Sequence, residues 1–576
     1  MPRLPVHRLA LWLSLLACGV LTGACQQTKM AQPMHAPTDA TTAKLSSASP
    51  PTQAASAVTG RRAEPVPCPE ANPTGNVAYY VCDCGPDSPQ GCRAGSDDNA
   101  GTKPEKPFRT YERARKQFAD LKPGSSIAFC RGGSFPIQPD SDQRWVNAAC
   151  QAKAPCVVRD YVPAWGSAAT RAPVIHAPRD SRVFSLENGG PAQHEEGYVF
   201  ANLDLEGSGS GWAVFLYNDI DDVTMCNLVI NDFELGVHLG GSDAVGPGSD
   251  GTSERISLRN SRITNNAGQG WLGAGSGTSI EGCYFENNGF GKAILNHNIY
   301  LSGDGARDVR VVGNELYRSA MISGKCQGTS LVVHGTLDGL RIERNLIRED
   351  MHSVEPTCWG IGVASGYDRG ESFKNVTIDG NTIINVGNVS IGVNACQDCV
   401  VQNNVIVNEQ GLNDAAIQAP AIDRGPGDAT DEHIVVRNNS IYGDSGTGIS
   451  LIKEGKRHEV VNNAIHLAGH KPSRCFMLDA APGTYAEVDY NVCQAGERGE
   501  WAAGHAELAD WTKATGFDKH STRENPGFLS LVAPYNLACA KGSPLAGKGD
   551  PRNSPRIDQT GKARPEGAPD IGAVQQ

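Results

Sequence analysis

The chain has 576 residues, a formal net charge of −12, 66 glycines, 18 cysteines and only 6% aromatic residues. So acidic a balance excludes a general nucleic-acid-binding role, which needs a dominant basic face. It leaves open an extended ligand such as a polysaccharide, which would meet only one local groove.

At the N-terminus Arg3, His7 and Arg8 precede an apolar run from Leu9 to Leu21. That run is too short to span a bilayer and has the form of a signal-peptide core. It closes on Leu-Thr-Gly-Ala-Cys, which resembles a bacterial lipobox with Cys25 as the lipidated residue. Cys18 is a rival site with a cramped apolar core, and a secretory signal cut near Ala24 is the alternative. Gln26 after the cysteine favours, by analogy with lipoproteins, the outer membrane over the inner. The expectation is an exported, lipid-anchored protein of the bacterial outer membrane or periplasm, with residues 1–25 as signal. Residues 26–66 are rich in Ala, Thr, Ser, Gln and Pro and read as a flexible tether, since they cannot bury enough surface to offset ordering. Sixteen cysteines remain, an even number that suggests disulfides in an exported chain. Local staples are expected, Cys396 and Cys399 in a CxxC among them, with the pairing left open.

Next comes a cap, residues 67–135, with a helix expected near Phe108 to Leu121. Its residues Tyr111, Ala114, Phe118 and Leu121 recur at helical spacing. From residue 136 to 499 a short motif repeats: alternating apolar residues, an asparagine, then more alternation. The anchors are Asn202, Asn227, Asn260, Asn314, Asn345, Asn381, Asn404, Asn439, Asn463 and Asn491, with Cys283 in one slot. Steps of this length mark a solenoid. Strands of about five residues, with no room for crossover helices, point to a parallel β-helix. Asparagine tolerates left-handed backbone geometry, so the anchors are expected at a sharp corner, stacked as a structural ladder. Residues 500–576, with a short helix in "HAELADWTKATGFDKHS", form the other cap.

The opening "GSDDNAGTKPEKPFRTYERA…LKPGSSI…RGGSF" and the tail "NPGF…SPLAGKG…DQTGKARPEGAPDIGA" resemble right-handed parallel β-helix proteins of the pectate-lyase-like superfamily. The resemblance covers about residues 75–576. It implies an all-β right-handed parallel β-helix. It leaves the activity open, because the fold hosts lyases, hydrolases, epimerases, tailspikes and adhesins.

Alignment of the strands that follow each corner gives one column. Val237, Leu239, Ile299, Leu301, Leu331, Val333, Ile361, Val363, Ile391 and Val393 are expected inward. The outward set is His238, Gly240, Tyr300, Ser302, Val332, His334, Gly362, Ala364, Gly392 and Asn394. Its small residues would let an extended glycan lie close. His334, His297, Tyr300 and Lys325 are the candidate catalytic residues, and His238, Asn394, Ser302 and Lys292 the candidate substrate-binding residues. A uronate lyase needs a base for the C5 proton, an acid for the leaving oxygen and a partner for the carboxylate. His334 or His297 would be the base, Tyr300 the acid, and Lys325 or Asn394 the carboxylate partner. The stretch "GKCQGTSLVVHGTLDGLRIERNLI" resembles the catalytic lysine to Arg-His-Gly stretch of alginate lyases and chondroitinase B-like enzymes. The resemblance matches Lys325 and His334–Gly335, but Val333 stands in place of the arginine. No converging acids fit a hydrolase. Ca²⁺ is weighed for two oxygen-rich runs, 218–222 and 96–101, against the reading that both are solvated turns. The rival function is a non-catalytic glycan-binding or adhesive surface lipoprotein.

Overall fold

The computed structural model describes residues 67–68, 77–187, 196–217, 219–240, 252–367, 369–411, 414–452, 455–479, 483–496 and 499–576. The expected signal peptide, the lipidation residue Cys25 and the tether lie outside the described residues. Short strands stack in parallel into a 27-stranded and a 13-stranded sheet, and the chain is a right-handed parallel β-helix. Each coil runs through the same sequence of faces. Val223–Cys226 is followed by a corner, then Val229–Asn231, a turn, and Leu235–Leu239. The inward residues of successive coils stack into one apolar core in which Val237, Ile299, Leu331, Ile361 and Ile391 are all fully buried.

The corners correct the expected ladder by one position. In the first coils Asn202, Asn227 and Asn260 are themselves left-handed, at φ of 59°, 52° and 47°. From Asn314 onward the left-handed residue is the one before the anchor: Gly313, Arg344, Gly380, Asn403, Asn438, Asn462 and Tyr490. The anchor asparagine has moved one step inward, into the column that Leu203, Leu228, Ser261 and Cys283 occupy earlier. There the amides form a continuous chain. Asn381, for instance, donates from its side chain to Ile342 O at 2.8 Å and to Asn404 Oδ1 at 3.0 Å. Its own Oδ1 accepts the backbone and side-chain N–H groups of Asn345, both at 2.9 Å. The ladder is structural, as expected.

The N-terminal helix is Tyr111–Phe118, shorter than the sequence suggests because Thr110 caps it, accepting from Arg113 N at 3.1 Å. Tyr111, Ala114 and Phe118 are fully buried against the first coils. The second helix, Leu508–Thr515, seats Trp511 at the other end. Residues 550–575 then run back along the corners. Asn403 donates to Ile557 O at 3.1 Å, Asn438 to Asp570 O at 3.2 Å, and Asn462 to Asp550 O at 3.1 Å.

Seven disulfides join described cysteines, a number that fits an extracytoplasmic protein. Most are local, including Cys396–Cys399, but Cys68–Cys226 spans 158 residues. Cys283 and Cys539 are free and buried, so the sixteen cysteines do not all pair.

Candidate functional site

The strand Ile299–Arg307 pairs in parallel with Leu331–Asp338, setting Tyr300 beside Val332 and Ser302 beside His334. Leu301 and Val333 are fully buried, so alternation lifts Tyr300, Ser302 and His334 onto the outer face. Gly335 follows at φ 101°, where a Cβ would come within 1.9 Å of Gly303 O. Only glycine lets the two strands stay this close directly after His334.

Four rings form a line across the rungs. His297 stacks on Tyr300 with centroids 5.5 Å apart. Tyr300 lies 5.4 Å from His334, and His334 lies 5.1 Å from Tyr367. The hydroxyls of Tyr300 and Tyr367 share a hydrogen bond, and Ser302 Oγ is 3.3 Å from the Tyr367 hydroxyl. The guanidinium of Arg369 stands 4.8 Å over the Tyr367 ring.

The tautomer of His334 follows from its partner. Nδ1 is 2.6 Å from Ala364 O, and a carbonyl can only accept. Nδ1 therefore carries the proton, and Nε2 keeps its lone pair. Behind this bond lies Glu371, whose side chain is fully buried with Oε1 3.8 Å from His334 Nδ1. Glu371 accepts the backbone N–H groups of Gly335, Gly366 and Tyr367. Burial pulls the His334 pKa below the usual imidazole value and outweighs the opposing pull of Glu371. Burial, then Tyr367 and Glu371, push the Tyr300 hydroxyl far above its usual value, so it stays protonated.

His297 is 3% exposed and gives its Nδ1 proton to Thr329 O at 2.8 Å. It backs the Tyr300 ring from inside. Burial drops its pKa from 6.5 to about 4. The unfolded chain takes up the extra proton between those values. This part of the stability is therefore complete above 6.5 and is lost as pH falls toward 4. It amounts to roughly 3 kcal/mol at full loss. His297→Asn keeps a donor for Thr329 without a titrating ring. Denaturant unfolding across the acid range should show a flatter stability slope for it than for the parent, and an unchanged slope would assign the acid sensitivity elsewhere.

The other sequence-derived candidates are scattered. Lys325 makes none of these ring contacts; on a small hairpin, Met321–Ile322 with Lys325–Cys326, its Nζ pairs with Glu355 Oε1 at 3.1 Å. Lys292 is exposed in the loop before His297, among the exposed side chains of Phe290, Ile294 and Leu295. Asn394, expected outward, is fully buried; it accepts from Ser365 N at 2.7 Å and donates to Ser365 Oγ at 3.0 Å. The small-residue face beyond His334 is not open either. Val332, Gly362, Ala364 and Gly392 are all buried. A Cβ on Gly392 would meet Ala421 Cβ at 2.9 Å and Trp359 Cζ3 at 3.5 Å. Later loops have folded over these rungs, which alternation alone does not reveal.

On the opposite side the described face is partly exposed, with His238 and Leu272 half-buried. The register carries Tyr300 to Leu272, then His238, then Phe215. His238 lies 5.3 Å from both Trp212 and Phe215. Its Nδ1, shut off from solvent, finds no partner among the described residues.

No protein-family model matches the chain, and no curated protein matches it. Among solved structures it is similar to XylC in complex with xylose, with 11% identity and a TM-score of 0.43 over 86% of this chain and 98% of that one. It is also similar to pectate lyase Pel9A, with 12% identity and a TM-score of 0.38 over 87% and 98%. A third is the alginate lyase of Paenibacillus sp. strain FPU-7, with 15% identity and a TM-score of 0.29 over 65% and 95%. At these identities and scores the likenesses carry nothing about chemistry, which has to come from this chain's own residues.

In the two runs weighed for Ca²⁺, Asp221, Asp222 and Asp97 have partners within the fold. Asp221 and Asp222 both pair with Arg255, at 2.9 and 3.0 Å, and Asp97 accepts from Arg109 N, Thr110 N and Thr110 Oγ1. Asn218 lies outside the described residues. Among the described residues, Cys326, Glu349 and Cys358 bring three ligand-type atoms together, but the two sulfurs are joined in a disulfide.

Tyr367, Arg369 and Glu371 escaped the sequence reading. They sit on the loop after the short strand Ile361–Val363, where no periodicity points to them. The available signal was a lone glutamate after glycine in "GYDRGESF".

Proposed function

We propose that this extracytoplasmic protein cleaves a uronate-containing polysaccharide by β-elimination at the His334–Tyr300–Tyr367 cluster. The observation that carries the reading is the tautomer of His334: Nδ1–H is held by Ala364 O, which leaves the Nε2 lone pair free beside the hydrogen-bonded hydroxyls of Tyr300 and Tyr367. Nε2 takes the C5 proton of the uronate, the C–H electron pair becomes the C4=C5 bond, and the C4–O bond breaks. A tyrosine proton goes to the departing oxygen, from Tyr300 or from Tyr367 bonded to it. Glu371, 3.8 Å from Nδ1, offsets the positive charge that appears on the imidazole. Arg369, over Tyr367, is the cation placed to meet the uronate carboxylate. Lys325 is committed to Glu355, and Lys325→Ala is expected to leave kcat close to the parent. A large loss there would return the lysine to the site. We further propose that Cys25 anchors the chain to the outer membrane.

The purified protein should be incubated with polygalacturonate, alginate and glycosaminoglycans. Ultraviolet absorbance of an unsaturated uronate product is the expected result. New reducing ends without that absorbance would make the protein a hydrolase. Binding with neither would make it the glycan-binding surface protein instead.

A further inference from the structure

The described face on the His238 side carries a second aromatic group, three rungs from Tyr300. On the strands Arg182–Glu187 and Trp212–Tyr217, Arg182 pairs in register with Trp212 and Ser185 with Phe215. The Arg182 guanidinium lies 4.5 Å over the Trp212 ring and 4.4 Å over Phe215. Phe215 stacks on Tyr217 at 5.4 Å, and Tyr217 is 40% exposed. With rungs about 4.8 Å apart, the Phe215 rung lies ~14 Å from Tyr300 along the helix axis. Between them, among the described residues, the register places His238 and the half-buried Leu272.

We propose that this platform binds a further stretch of the same glycan, with Arg182 taking a uronate carboxylate and Tyr217 and Trp212 stacking on sugar rings. The proposal rests on the reading of the His334 cluster as a uronate site. Three observations carry it. Two rungs beyond His334, Gly392 is covered by Trp359 and Ala421, so among the described residues an extended chain seated at His334 finds its longer run of face toward His238. The guanidinium is fixed by two rings, and among the described residues it makes one hydrogen bond, to Ser185 Oγ at 3.4 Å, and no ion pair. A planar cation held by its faces keeps its edge free for a carboxylate, which it grips with two parallel hydrogen bonds. Finally, Glu187 stands beside Tyr217 in the register. Its charge disfavours a carboxylate beside Tyr217, which leaves the Arg182 guanidinium as the cationic partner on the platform.

The test uses calorimetry on the full chain carrying His334→Ala, titrated with oligogalacturonates and alginate oligomers of increasing length. Affinity should rise with length until the chain reaches from Tyr300 to Arg182. Adding Arg182→Ala or Tyr217→Ala should weaken the long oligomers by about tenfold, the scale of one charge-assisted contact, and remove the length dependence. Tyr217 is exposed enough that its loss leaves the fold intact, so the test survives a folding failure of the arginine variant. Unchanged affinity for long oligomers in both variants overturns the platform, as does equal affinity for a carboxyl-reduced chain. Loss of binding in these variants, in a parent that makes no unsaturated product, keeps the platform and sinks the lyase reading alone. If no uronate oligomer binds, both fall.

Discussion

Replacing His334 with alanine is expected to lower the rate of unsaturated-product formation by about 10²–10⁴-fold, the range for losing a positioned general base. The loss should fall on kcat more than on KM, because Nε2 acts on the reacting proton and holds no other part of the sugar. The pH profile supplies a second reading. Burial keeps His334 below the ordinary imidazole value of 6.5, so the neutral base persists into mildly acid solution. The acid limb of kcat/KM should therefore lie below that value, and substrate-free His334 should titrate with it by NMR. Tyr300→Phe should cost a comparable factor, and the double variant much less than the product of the two, since base and acid serve one step. Full turnover in His334→Ala would remove the mechanism at its centre, whatever the substrate.

The largest effect on stability should come from Asn381→Ala. Asn381 is fully buried, and its removal leaves the Asn345 backbone N–H and the Ile342 carbonyl without their partners. It also strips one side-chain bond from Asn345. Each orphaned buried group costs roughly 1–3 kcal/mol, so the variant should lose about 2–6 kcal/mol. That is a large part of the 5–15 kcal/mol or so that folds a domain. Asn202→Ala is the matched control. Asn202 sits at φ 59° outside the buried column, and its side-chain bonds to Asp160 and Asn227 are partly exposed, so its loss should cost less: about 1–2 kcal/mol of strain for a left-handed alanine plus a small term for those bonds. Denaturant unfolding of the two variants should separate them clearly, and equal costs would mean that the ladder bonds add nothing beyond corner geometry.

Much of the fold is legible in the sequence because both of its periods are short. Alternation of two separates Leu301 and Val333 from Tyr300 and His334, and this survives in the structure residue by residue. The corner is harder. Asn202 and Asn314 look alike in sequence, yet one turns the chain and the other hangs inside it. A left-handed position accepts Asn, Gly, Arg or Tyr, as Asn403, Gly380, Arg344 and Tyr490 demonstrate, so the letter alone does not fix the register. What folds over the strands is not legible at all. Asn394 is at an outward parity and fully buried, because Ser365 from the preceding coil reaches its amide. Glu371 reaches His334 from a loop 37 residues downstream. Phe215 and Tyr217 were hidden in "WAVFLY", where inward and outward residues are all apolar or aromatic.

The returning stretch 550–575 gives this solenoid an order of assembly. Coils from Asn381 onward can stack as each is made. The outer amide of Asn438, however, finds its carbonyl partner 132 residues further along the chain, and that of Asn403, already bonded to Asp379, gains a second one 154 residues on. Until those residues emerge, the corners of the later coils stay wet and free to fray. Arg564 then seals Asn403 through its Oδ1 at 2.9 Å, and Gln559 reaches Thr382 Oγ1 at 2.9 Å. The returning segment thus works as a zip closed last. A protease that nicks it should loosen several coils at once, seen as faster amide exchange along their corners while the His334 rungs stay protected.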